Sequence, residues 1–147
     1  MSPDQVRPSL PPAFLPALRA ALPLDSVSVI PEDLERYAHD ETEDLRFPPQ
    51  VVVRPRTTQE VVAVVKLCAE HQVPITPIGG RTGLSGGALC AHGGVGLALD
   101  RMNRILHLDE RNLQVTVELG VITHALMDVA AEKGLYYPCD PSSNGSC

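Results

Sequence analysis

Gly79, Gly80, Gly83, Gly86 and Gly87 fall within nine residues of one another. Such a run suits one kind of chemistry, the holding of an anion by main-chain groups. Glycine admits positive φ and leaves no Cβ between backbone and ligand, so successive N–H groups can converge on a phosphate. Thr82 and Ser85 add hydroxyl donors inside the run, and Arg81 adds a positive charge. The spacing excludes two familiar phosphate loops. There is no G-x-x-x-x-G-K-[ST], the loop that cradles nucleoside triphosphates. There is no G-x-G-x-x-G opening a helix, the dinucleotide fingerprint of the doubly wound fold. Glycine content alone is equally consistent with a turn between two strands.

Other residue types that could do chemistry are scattered. His39, His71, His92, His107 and His124 share no metal-ligand spacing and read as structural or surface residues. Cys68, Cys90, Cys139 and Cys147 form no C-x-x-C pair, which argues against zinc and thioredoxin-like chemistry and for reduced thiols in a cytoplasmic protein. Asp40, Glu41, Glu43 and Asp44 form an acidic run that reads as solvated surface. No metal site and no catalytic residue stands out.

The elements that must position the glycine run come from an aliphatic chain. Of 147 residues, 44% are hydrophobic and 20% charged, a globular balance fitting one domain. Aromatics are 3% with no Trp, so the core must be Val, Leu, Ile and Ala, as in buried α/β strands. The net charge of -6, with Lys66 and Lys133 the only lysines, disfavours a nucleic-acid partner. No apolar run approaches the ~20 residues of a transmembrane segment. The N-terminus lacks the pattern of a signal peptide.

Residues 1–45 read as a proline-rich tail followed by short helices at Ala13–Leu22 and Pro31–Ala38, and 46–147 as the main domain. Within that domain Val51–Arg54 reads as a strand. Thr57 and Glu60 make a capping box for a helix running to about His71. Pro74–Pro77 and Gly94–Leu99 read as strands either side of the glycine loop. Ile105–Asp109 and Leu113–Leu119 read as a hairpin joined at Asp109–Asn112, and Ile122–Lys133 as a helix stopped by Gly134. Val61, Val65, Leu97, Leu99, Val115, Val117 and Leu126 are the expected core. Pro138-Cys139-Asp140-Pro141 reads as a rigid turn.

Five segments in order then carry a resemblance: PPQVVVRPRTTQEVVAVV (Pro48–Val65), PITPIGGRTGLSGGA (Pro74–Ala88), GGVGLALDRMNRILHLD (Gly93–Asp109), VTVELGV (Val115–Val121) and GLYYPCDPSSNGSC (Gly134–Cys147). From about Tyr37 onward the chain resembles the FAD-binding domain of the vanillyl-alcohol oxidase and p-cresol methylhydroxylase superfamily. Its nearest branch resembles the FAD-linked D-lactate dehydrogenases and the glycolate oxidase FAD subunit. The resemblance implies an α+β fold of PCMH type: a small mixed β-sheet with flanking helices, then a second, mostly antiparallel β unit that is incomplete here. It implies that Gly79, Gly80, Arg81, Thr82, Gly83, Ser85, Gly87 and Ala88 wrap the FAD pyrophosphate. It implies that Pro138, Asp140, Pro141, Ser142 and Ser143 approach the flavin, with the Cys139 thiol packed in the same turn.

Three departures from the family matter. Glu118-Leu119-Gly120 stands where many relatives have Glu-Pro-Gly, which leaves the turn one proline less rigid. Arg81 stands where some relatives attach FAD through histidine, so the resemblance implies FAD held non-covalently. Relatives continue past the position of Cys147 into a segment that completes the FAD site and into a substrate cap, so no catalytic residue can be carried over. The implied full-length activity is oxidation of a small D-2-hydroxy acid such as D-lactate or glycolate by hydride transfer to FAD, with a separate electron acceptor. The alternatives are an inactive FAD- or nucleotide-binding fragment and a relative of the UDP-sugar enolpyruvyl reductases.

Overall fold

A computed structural model describes residues 8–42, 44–143 and 145–146. The beginning of the proline-rich tail, Glu43 of the acidic run and Cys147 lie outside the described residues.

Two strands that cannot face water organise the chain. β2 (Val51–Val53) is three consecutive valines, all buried, and β4 (Val95–Ala98) is buried along its whole length. Such unbroken apolar runs belong in a sheet covered on both faces. β2 and β4 pair in parallel, and β3 (Ile75–Ile78) pairs in parallel with the other edge of β4. β1 (Val27–Ser28) adds antiparallel to β2, giving a mixed sheet in the order β1-β2-β4-β3.

Strand alternation divides the core between the two faces of this sheet. Val51 and Val53 meet α1 (Phe14–Ala21) and α3 (Thr58–Glu70) through Phe14, Leu18, Val64 and Cys68. Burial pushes the Cys68 thiol up to about 11, so it sits there as a neutral apolar group. Val52 faces the other way, into a cluster with Tyr37, Ile78, Cys90 and Ala98. Tyr37 follows the short helix α2 (Pro31–Arg36), whose first position is proline. The N-terminal segment is thus built into the same core as the sheet: Phe14 and Leu18 are both fully buried.

α3 begins at the expected capping box. Thr57 Oγ1 accepts the Glu60 N–H at 3.2 Å. The Glu60 carboxylate reaches back one residue further than the simple pattern, to the Arg56 N–H at 2.8 Å. Its inward stripe is Val61, Val64 and Cys68, while Val65 is 45% exposed, contrary to the expectation that it is core. Both Val64 and Val65 are apolar, and periodicity alone does not say which of two adjacent valines faces the sheet.

The second unit is the hairpin β5 (Ile105–Asp109) and β6 (Gln114–Val117), followed by α4 (Thr123–Glu132). The turn is tied by Asp109, whose Oδ1 accepts the N–H groups of Arg111 at 3.1 Å and Asn112 at 3.0 Å. Leu113 has φ 55 and belongs to this turn, so β6 starts one residue later than its alternating pattern predicts. β6 is also shallower than expected: Val115 is half-buried, and Val117 is 38% exposed. A two-stranded hairpin has one apolar face that only a further layer could cover.

Two consequences can be measured. Phe14→Ala should lower stability by ~3–5 kcal/mol within a single denaturant transition, because the helix shares the core of the sheet; a separate early transition would show an independent N-terminal segment. Gly94 has φ +75, and a Cβ there would lie 2.1 Å from the Pro74 carbonyl oxygen. Gly94→Ala should therefore cost on the order of 3 kcal/mol in urea denaturation, and a loss under about 0.5 kcal/mol would contradict the close approach of β3 and β4.

Candidate functional site

β3 and β4 are adjacent and parallel, yet no helix lies between them in sequence. Residues 79–94 must therefore carry the chain from the carboxyl end of β3 back to the start of β4. Gly79 and Gly80 leave β3 and line a cleft of about 270 Å³. Ligands of open α/β sheets bind at such carboxyl ends. Asp100 and Asn103 line the cleft from the chain leaving β4, and Leu119, Gly120, Val121 and Ile122 line it from the turn before α4.

That turn is held firmly. A Cβ on Gly120 would lie 2.5 Å from the Leu99 carbonyl oxygen, so only glycine fits. The Gly120 N–H donates to Met102 O at 2.7 Å, and the Glu118 N–H donates to Arg104 O at 2.9 Å. The Glu118 carboxylate answers by accepting the Arg104 N–H at 2.9 Å and its guanidinium at 2.7 Å. Those hydrogen bonds hold the Glu118 carboxyl below its ordinary range. Where Leu119 gives up the stiffness of a proline, these bonds supply it.

The cleft is a main-chain surface more than a charged one. Asp100 enters it already paired, with Arg54 Nε 3.2 Å from its Oδ1. No lysine or arginine lines the cleft among the described residues. Arg81 has φ 60 and turns away: its guanidinium lies over the Tyr37 ring, 5.4 Å from the centroid, and donates to the Arg36 carbonyl. The charge that the sequence places in the glycine run is thus spent on the preceding segment. Ile122 caps α4 without a side-chain hydrogen bond, so the first N–H groups of that helix have no side-chain acceptor at the cap, and Ile122 and Ala125 both line the cleft.

The far end of the glycine run is tied to residues 40–42. The Gly86 N–H donates to Thr42 Oγ1 at 2.8 Å, and the Thr42 N–H donates to Asp40 Oδ1 at 2.9 Å. Asp40 is only 8% exposed, whereas the acidic run is expected to be solvated; Glu41 and Asp44 are exposed as expected. Burial disfavours its charge, but the hydrogen bonds from Thr42 and the backbone N–H of Ala88 outweigh that and hold its carboxyl below the ordinary 3.8.

The structure distributes the expected site residues over two places. Gly79 and Gly80 line the cleft, joined by Ser146 from the C-terminal segment. Thr82 is half-buried, Gly83, Ser85 and Gly87 are exposed, and Ala88 packs against the second core cluster. Pro138 and Cys139 instead line a separate apolar groove of about 550 Å³, with Leu108, Val115, Leu126 and Tyr136. There the Tyr137 hydroxyl hydrogen-bonds Cys139, which raises the phenol pKa. Asp140 and Ser142 are exposed, and Pro141 and Ser143 are half-buried. Sequence reasoning missed Asp100, Asn103 and the Gly120–Ile122 turn, although a glycine directly after an alternating strand marks a close backbone approach. It also missed Asp40 and Thr42.

The same architecture recurs in known proteins. The solved structure of p-cresol methylhydroxylase with substrate bound superimposes with a TM-score of 0.74 at 31% identity, covering 84% of this chain and 25% of that one. Glycolate oxidase subunit GlcD of Bacillus subtilis is 44% identical over 107 residues, 73% of this chain and 23% of that protein. A D-lactate dehydrogenase of Anaerostipes hadrus is 45% identical over 108 residues, again 73% of this chain and 23% of its own length. The chain thus spans under a quarter of the length of these curated relatives. The FAD binding domain family model matches residues 49–147, which takes in β2, the glycine loop, both lips of the cleft and α4. On that match the chain belongs to the FAD binding domain family, and FAD is the cofactor its fold serves.

Proposed function

We propose that this chain supplies the pyrophosphate-holding wall of the FAD site in an oxidoreductase that oxidises a small D-2-hydroxy acid such as D-lactate or glycolate. One observation carries the cofactor assignment. Gly79, Gly83 and Gly87 have no positive φ, and a Cβ at any of them would meet nothing within 4 Å. The fold itself does not require glycine at these positions. Of the three, Gly79 lines the cleft, and bare backbone in open space is what a bulky anion needs in order to reach the amides.

The residues present fit a dinucleotide. Gly79, Gly80, Thr82, Gly83 and Ser85 would hold the pyrophosphate by N–H and hydroxyl donors, with Gly87 and Ala88 at the loop's return. The first turn of α4 faces the same cleft and favours negative charge. Arg81 lies on Tyr37 and forms no attachment point, which supports FAD held non-covalently. Pro138, Asp140, Pro141, Ser142 and Ser143 would approach the flavin. When bound, FAD supplies the hydride-accepting chemistry, and the protein supplies orientation and electrostatics. The relatives' names support a small hydroxy acid as the substrate, and a separate electron acceptor would reoxidise the flavin. Among the described residues no helix is long and apolar enough to cross a membrane; the cysteine usage supports a reducing compartment such as the cytoplasm.

A second reading is a cofactor-holding module that does no chemistry itself. Its support is the lining of the cleft, where among the described residues Asp100 is the one acidic or basic side chain and is paired with Arg54.

Two experiments test the proposal. Purified at its native length, the protein should carry oxidised-flavin absorbance that D-lactate or glycolate bleaches under anaerobic conditions. A colourless protein that takes up no FAD would sink the reading, and a yellow one bleached by neither acid would leave only the cofactor module. Gly79→Val should weaken FAD binding by about tenfold or more while moving stability by under about 1 kcal/mol, since only the ligand's space is filled. Unchanged affinity would remove Gly79 from the site.

A further inference from the structure

The glycine loop is fixed at two points by a segment that lies ahead of the family match. At its entry, Arg81 is laid over Tyr37 and bonded to the Arg36 carbonyl. At its exit, the Gly86 N–H is bonded to Thr42 Oγ1, a link between residues 44 apart in sequence. Between these posts the loop is held by little else, for Gly83, Leu84 and Ser85 are exposed, Leu84 at 75%.

The posts themselves are anchored. Tyr37 and Ala38 are buried in the second core cluster or beside it, and the Phe47 N–H donates to Ala38 O at 2.6 Å. Asp40 sits behind Thr42, almost wholly buried, and accepts its N–H. Burying a carboxylate is costly unless something is gained by it. Here it fixes the backbone of Thr42, and that in turn fixes where the hydroxyl meets Gly86.

We propose that Thr42, seated by Asp40, is a positioning residue for the cofactor loop, holding the Gly86 end so that the loop amides are arranged for the FAD pyrophosphate before FAD arrives. The proposal rests on the assignment of the cleft to FAD. A loop already set in its binding conformation loses less entropy on binding, so the effect belongs to affinity. Thr42 need not touch FAD.

The test is made on the protein at its native length, stripped of flavin and titrated with FAD by quenching of flavin fluorescence. Thr42→Val keeps the shape and removes the acceptor. It should raise the Kd for FAD about tenfold and speed amide exchange at Gly86. Thr42→Ser keeps the hydroxyl and should stay within about twofold of wild type. Should Thr42→Val fail to fold, Asp40→Asn serves. It keeps an acceptor for Thr42 but loses the carboxylate, and it should raise the Kd in the same direction. A Kd unchanged in the folded variants, or a serine variant as weak as the valine one, overturns the positioning role alone. A wild-type protein that binds no FAD overturns the flavin assignment and this role with it.

Discussion

Much of this structure follows from two strands being neighbours and parallel. β3 and β4 are joined by register from Ile75–Val95 to Ile78–Ala98, so the connection between them has to travel the length of the sheet. Most folds use a helix for such a crossover. Here irregular chain does it. Irregular chain has unsatisfied amides, and those must find partners or a ligand. Some find the protein: Leu89 donates to Gly86 O, and Gly93 donates to Cys90 O. The opening part, beside the cleft, is left to face outward. Outward-facing main chain is thus what remains when a parallel pair is connected without a helix.

The electrostatics agree with that view. A pyrophosphate could be held by a cluster of lysines and arginines, but among the described residues three arginines of the elements around this cleft are engaged elsewhere. Arg54 neutralises Asp100, Arg81 lies on Tyr37, and Arg104 is clasped by Glu118. Backbone dipoles have fixed positions and lose no rotamer freedom, so they hold an anion in one geometry. The arginines meanwhile stiffen the turns that present those dipoles.

The buried strands were legible in the sequence because Val51–Val53 and Val95–Ala98 can be nothing but interior. α3 was legible through Thr57 and Glu60, and α4 through its apolar stripe and Gly134. The glycine run was legible as an irregular connection between two strands, which is what residues 79–94 are. β1 was not, since two residues carry no period. Leu113 was not, because nothing in a leucine announces a left-handed turn; the Asp109 side chain imposes it. Asp40 was the largest surprise. A carboxylate among other acidic residues reads as solvated, and its burial is decided by amides on Thr42 and Ala88 that only the folded chain brings near.

The bond from Gly86 to Thr42 joins the loop after β3 to the segment between α2 and β2. Two such regions share one equilibrium. Order in either favours order in the other, and the coupling is reciprocal: a ligand that orders the loop favours order in the segment, and order in the segment favours the ligand by the same coupling free energy. Substitutions near Tyr37 or Asp40, far in sequence from any glycine, would then surface as changes in cofactor retention. The stretch ahead of β2 is in that sense a part of the chain's cofactor thermodynamics without being a part of its cofactor surface.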